Sequence, residues 1–137
     1  MDGIAFEDVH IGQSASLGKT ITETDILRHG ADSLDTNSLH FNSDAAAQTS
    51  FKGRIAHGVL SAGLISAVLG TKLPGAGSIS LVQARAVRRP VHGGDTVTAT
   101  ITALAPATRQ ATLSTVYAVA GKRISAGEAT VLPPARA

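Results

Sequence analysis

Twelve residues from Val59 to Gly70 carry no charge and only two hydroxyls, Ser61 and Ser66. Leu60, Leu64, Ile65, Val68 and Leu69 leave no polar stripe, so a helix here is apolar on nearly every side and has to be enclosed. It is too short to span a bilayer and is interrupted by Ser61, Gly63 and Ser66. The predicted helix starts at His57 or Gly58 and ends near Gly70, where glycine suits a C-cap. Beyond a turn at Leu73-Pro74-Gly75-Ala76-Gly77, the apolar period changes. Ser78 to Arg89 alternates imperfectly, which predicts a bulge or a strand buried on both faces. Thr96 to Ala105 and Ala111 to Ala120 are rich in β-branched residues, and Gly121-Lys122 turns into a last strand over Arg123 to Leu132. One long buried helix wrapped by an antiparallel sheet is an α+β architecture.

The N-terminal half supplies the remaining elements. Ser14 to Thr22 reads as a first strand. Thr22 and Asp25 have the spacing of a capping box, so a helix follows through about Ala31. Asp32 to Asn42 reads as loop, Ser43 to Gln48 as a short helix opened by Ser43, and Gly53 to Gly58 as a second loop. The 137 residues suit a single domain, 1–137, with a loose Pro/Ala tail at about 133–137. With three Phe, one Tyr and no Trp, the core is built from small aliphatics, and a partner subunit is expected to add burial. There are no cysteines, which excludes disulfides and thiolate chemistry. A net charge near +2 without stacking aromatics argues against nucleic acid. No signal peptide is evident, and the expected location is the cytoplasm.

The chemistry concentrates in the two loops. Asp35 and His40 stand five residues apart, with Asn37 between them to orient either one. A carboxylate and an imidazole in different surroundings can divide base and acid roles. Gly58 opens the apolar helix, where free backbone N–H groups can stabilise an oxyanion. Spacing alone favours a plainer reading, with Asp35 and Asn37 as turn residues and Gly58 present for packing. His57 reads as structural, Ser66 as bonded to its own helix, and His10, His29 and His92 as surface residues. Lys52, Arg54, Arg85, Arg88 and Arg89 could meet phosphates, although Arg88-Arg89 also reads as a solvated strand end.

The ordered motifs say more. Asp35-Thr36-Asn37-Ser38-Leu39-His40 resembles the Asp-x-Asn-Pro-x-His motif of the MaoC-like, (R)-specific enoyl-CoA hydratases. The resemblance continues through Phe51 to Gly58, Leu69 to Gly75, Arg89-Pro90-Val91 and Gly94-Asp95-Thr96-Val97, and spans about Phe6 to Leu132. It implies a single hot-dog domain, a long central helix wrapped by a five-stranded antiparallel sheet. It implies a homodimer or higher oligomer with joined sheets and sites near the interface. It also implies water addition to a trans-2-enoyl-CoA by Asp35 and His40, with Gly58 as oxyanion donor, Ser66 near the site, acyl-CoA as substrate, and no metal or redox cofactor. Ser38 departs from the motif proline and loosens the loop, yet Ser38→Pro is expected to fold and keep activity. Two other functions compete: a hot-dog thioesterase, disfavoured because Val59 to Gly70 contains no carboxylate, and a non-catalytic acyl-thioester binding module.

Overall fold

The structure is a computed structural model that describes residues 3–107 and 109–136. After a 3-10 turn at Phe6–Asp8 come β1 (Ser14–Thr20), α1 (Glu23–Ser33), α2 (Ser38–Phe41), α3 (Ser43–Ala47) and α4 (Gly58–Thr71). Four strands follow: β2 (Ile79–Val87), β3 (Thr96–Ala107), β4 (Gln110–Val119) and β5 (Lys122–Leu132). The strands form one antiparallel sheet in the order β1-β3-β4-β5-β2, curled around α4. This is the expected α+β hot-dog architecture.

Strand alternation decides which face meets the helix. In β3, Val97, Ala99, Ile101 and Ala103 are buried while Thr96 and Thr98 are exposed. In β4 the inward set is Ala111, Leu113, Thr115 and Tyr117. These side chains pack with Ile65, Val68 and Leu69 of α4 in the central cluster. The β4–β5 turn centres on Ala120 and Gly121, both at positive φ, one residue before the predicted pair. Such a turn follows the twist of the strands it joins.

Three sequence expectations change. The helix continues through Gly70 to Thr71 with Lys72 as C-cap, because Lys72 N–H bonds Val68 O and Thr71 Oγ1 bonds Ala67 O. Nor is α4 enclosed all round: Val59, Gly63, Ser66 and Gly70 form an exposed strip at helical spacing. In β2 the predicted bulge is present between Ser80 and Val82, but both faces of the strand are open rather than buried. The tail read as loose makes two contacts: Phe6 N–H bonds Pro134 O at 3.0 Å, and Arg136 pairs with Asp8 at 2.6 Å. Ala137 lies outside the described residues.

Candidate active site

The stretch read as loop contains a helical turn, α2, and this turn positions the candidate residues. Asn37 has φ −53° and ψ 129°, and its side chain accepts the Leu39 N–H at 3.0 Å, so Asn37 caps α2. Its own N–H donates to Asp35 Oδ1 at 3.3 Å. Asn37 thus contacts Asp35 directly and caps the turn that carries His40. Asn42 in turn caps α3 by accepting from Asp44 and Ala45, the role expected of Ser43. From the far side, Arg54 donates to the Phe41 carbonyl and pairs with Glu23 of α1. Those contacts engage Arg54 and remove it from the free phosphate-binding cations.

Asp35, His40 and His57 converge, each offering one nitrogen or oxygen within 4.8 Å of the others. The His40 and His57 rings stack with centroids 3.8 Å apart. His40 Nδ1 donates to Ile55 O at 2.8 Å, since a carbonyl can only accept. In the neutral ring Nε2 then carries the lone pair, and it is not among the sealed polar atoms. By the same logic His57 Nε2 donates to the Asp35 carbonyl at 2.9 Å. The Asp35 carboxylate lies 4.0 Å from that nitrogen and its side chain is 53% exposed. His57, buried and tied to the Asp35 main chain, is a positioning residue whose role the sequence only partly conveyed.

Phe41 also meets the His57 ring edge-on, 5.9 Å between centroids. Gly30 in α1 carries no signal at the level of sequence. A Cβ there would stand 2.1 Å from the Phe41 ring and 3.2 Å from the Asp35 carbonyl, so only glycine lets this helix approach the site so closely. His29, expected at the surface, is half-buried with its ring 4.8 Å from His57. His92, likewise expected at the surface, is half-buried and donates from Nδ1 to Arg54 O at 3.1 Å. His10 is exposed, as read.

Directly after His57, α4 begins. The Gly58 and Val59 N–H groups lie in the first turn, where the helix offers them no carbonyl. Gly58 borders a cavity of about 260 Å³ whose lining is mostly apolar but includes Ser61, Arg88 and Arg89. Ser66 does not join this group; it lies about 12 Å along the helix from Gly58, on the exposed strip. Ser61, which sequence reading left as a mere interruption, takes the cavity position. Nothing distinguishes two serines in an apolar helix until the sheet fixes which one faces inward.

A carboxylate oxygen and two ring nitrogens are also the donor types of a divalent-cation site. The fit is poor: a cation at His57 Nε2 would have to displace the Asp35 carbonyl, and His57 Nδ1 is sealed. The arrangement suits proton transfer instead, with an unencumbered imidazole nitrogen beside a carboxylate and a helix N-terminus.

Comparison with known proteins gives the family. A model of the MaoC like domain matches residues 8–125. An (R)-specific enoyl-CoA hydratase of Rhodospirillum rubrum is 56% identical over 96% of this chain and 92% of its own. A 3-hydroxybutyryl-CoA dehydratase of Methylorubrum extorquens is 40% identical over 94% and 83%. The unliganded R-hydratase PhaJ1 from Pseudomonas aeruginosa superposes with a TM-score of 0.92 at 37% identity, covering 98% of this chain and 88% of that one. The chain belongs to the MaoC-like dehydratase family.

Proposed function

We propose that the protein is an (R)-specific enoyl-CoA hydratase, adding water reversibly to a trans-2-enoyl-CoA to give an (R)-3-hydroxyacyl-CoA. The observation that carries this is the fixed His40 ring: Nδ1–H is committed to Ile55 O, which leaves Nε2 as a base next to Asp35. His40 and Asp35 hold the water. As His40 Nε2 takes a proton from it, its oxygen bonds to C3 and the C2–C3 π pair moves toward the thioester oxygen. The Gly58 N–H, backed by the α4 dipole, stabilises that enolate. Collapse of the enolate takes a proton at C2, delivered from the same pair. No metal enters this scheme, so chelator treatment is expected to leave turnover unchanged.

We place the enzyme in the cytoplasm as at least a homodimer, with acyl-CoA as its small-molecule partner. Among the described residues no helix is long and apolar enough to cross a membrane. Support for the dimer comes from β2, an edge strand on which Ile79, Leu81, Val82 and Val87 are 46–59% exposed, and from the open strip of α4. Apolar exposure of that extent along a sheet edge is a mark of an interface. Light scattering is expected to give twice the chain mass, and Val82→Lys to reduce it; a monomeric parent would contradict the dimer.

The activity test is crotonyl-CoA hydration with assignment of product configuration. Formation of (R)-3-hydroxybutyryl-CoA supports the proposal. The (S) product, or release of free thiol without hydration, would replace it.

A further inference from the structure

As a base, His40 depends on one acceptor outside its own helix. Ile55 O takes the Nδ1–H at 2.8 Å, and that bond decides which ring nitrogen is left bare. The helix that carries His40, α2, is a single turn of four residues. A helix that short does not hold its place in water and depends on what it packs against. The bond therefore needs a fixed register between α2 and residues 54–56.

Arg54 supplies that register from two directions. Its Nη1 donates at 3.4 Å to the carbonyl of Phe41, the residue after His40. Phe41 ends α2, so this carbonyl lacks a partner within the turn, and a cation suits the C-terminal end of a helix. The Nη2 group pairs with Glu23, the first residue of α1. A guanidinium is a planar fork, so one contact fixes the direction of the other. Residues 40–41 and 54–55 thus meet at two adjacent points, ring on carbonyl and carbonyl on guanidinium. The main chain here is held as well. His92 Nδ1 donates to Arg54 O at 3.1 Å, Ala56 N–H bonds Val91 O at 2.7 Å, and Ile55 bridges to His92. Ile55 and Ala56 line the cavity beside Gly58, whereas Arg54 does not.

We infer that Arg54 is a positioning residue of the reaction: it clamps α2 against residues 54–56 and so fixes the His40 ring with Nε2 bare beside Asp35. This rests on the hydratase reading above and adds a residue to its site. Arg54 acts through His40 and does not touch substrate.

The test pairs kinetics with the state of the imidazole. Arg54→Met keeps an apolar stem and removes both donors. It is expected to lower kcat for crotonyl-CoA by about 10- to 100-fold with KM within about twofold, the scale of a small displacement near the reacting atoms. On the His40→Ala background the same change is expected to cost less than about threefold, because its effect runs through that ring. Long-range proton–nitrogen NMR spectra of the neutral ring are expected to show the Nδ1–H tautomer of His40 in the parent and a mixture in Arg54→Met. Glu23→Gln leaves the Phe41 contact in place and should lower kcat by about two- to fivefold, the scale of a partly exposed ion pair. Arg28→Met, at an exposed position of α1, should leave kcat unchanged. A folded Arg54→Met with the parent kcat, or with its loss repeated in full on His40→Ala, would overturn the inference. So would a rise in KM at unchanged kcat, which would assign Arg54 to substrate binding. If Arg54→Met does not fold, Glu23→Gln decides, and the parent kcat with an unchanged tautomer in that variant overturns the inference. A parent that hydrates crotonyl-CoA with the other His40 tautomer removes this inference alone; a parent that hydrates none removes the hydratase reading and this inference with it.

Discussion

Ser38→Pro tests the placement of the catalytic loop. Ser38 is the first residue of α2, where proline is favoured because its fixed φ suits the helix and no N–H is required. The preceding Asn37, at φ −53° and ψ 129°, already has the extended conformation that proline imposes on its neighbour. Ser38 is exposed, and neither its N–H nor its hydroxyl has a hydrogen-bond partner among the described residues. The substitution therefore loses nothing in the folded state and restricts the unfolded chain, a gain of about 0.4–1 kcal/mol. For 137 residues the unfolding entropy is about 0.29 kcal/mol per degree, so Tm should rise by about 1.5–3.5 °C. Turnover of crotonyl-CoA should be kept or increased, because His40 rides on the stiffened turn. Calorimetry and initial rates check both. A lowered Tm, or loss of turnover with the fold intact, would refute the assignment of Ser38 to the first position of α2.

Asp25 closes the α1 capping box, and the Lys19 ammonium 2.9 Å away, with the Thr22 N–H, holds its carboxyl down at about 2. A depressed carboxylate contributes stability that is complete above its unfolded value near 4 and fades as pH falls toward 2. Asp25→Asn is expected to cost about 1 kcal/mol at pH 7 and to flatten Tm against pH over that range; equal losses at pH 2 and pH 7 would contradict it. Gly30→Ala forces the Phe41 ring away from α1 and should cost about 1–3 kcal/mol by denaturant titration, with turnover falling further than stability explains. Gly58→Ala meets only Val87 Cγ2, at 3.9 Å, so the fold should hold or gain up to about 1 kcal/mol. Its new methyl stands at the cavity, and kcat/KM should drop by about tenfold or more; unchanged kinetics would remove Gly58 from the site.

Periodicity made the fold legible because α4 and the alternating strands each bury what their pattern says. It failed where apolar pattern and burial part company. The strip Val59, Gly63, Ser66 and Gly70 and both faces of β2 look like core in sequence but are exposed. A motif singled out Asp35, Asn37 and His40, and the structure places Asp35 near His40 beside a turn that Asn37 caps, although polar residues concealed that turn as loop. Gly30 could not be read, and His57 only as a structural residue, since their contacts depend on the approach of Phe41 and the Asp35 carbonyl from distant elements. Ser61 and Ser66 are alike in composition and differ only in the direction they face.

The most direct test of the central claim is crotonyl-CoA hydration by the parent, Asp35→Asn, His40→Ala and the double variant, with circular dichroism confirming each fold. Each single change is expected to lower kcat by about 10²-fold or more, and the double variant to be little worse than the poorer single one, because the two residues act as a unit. Hydration that persists near the parent rate in either folded single variant would contradict it.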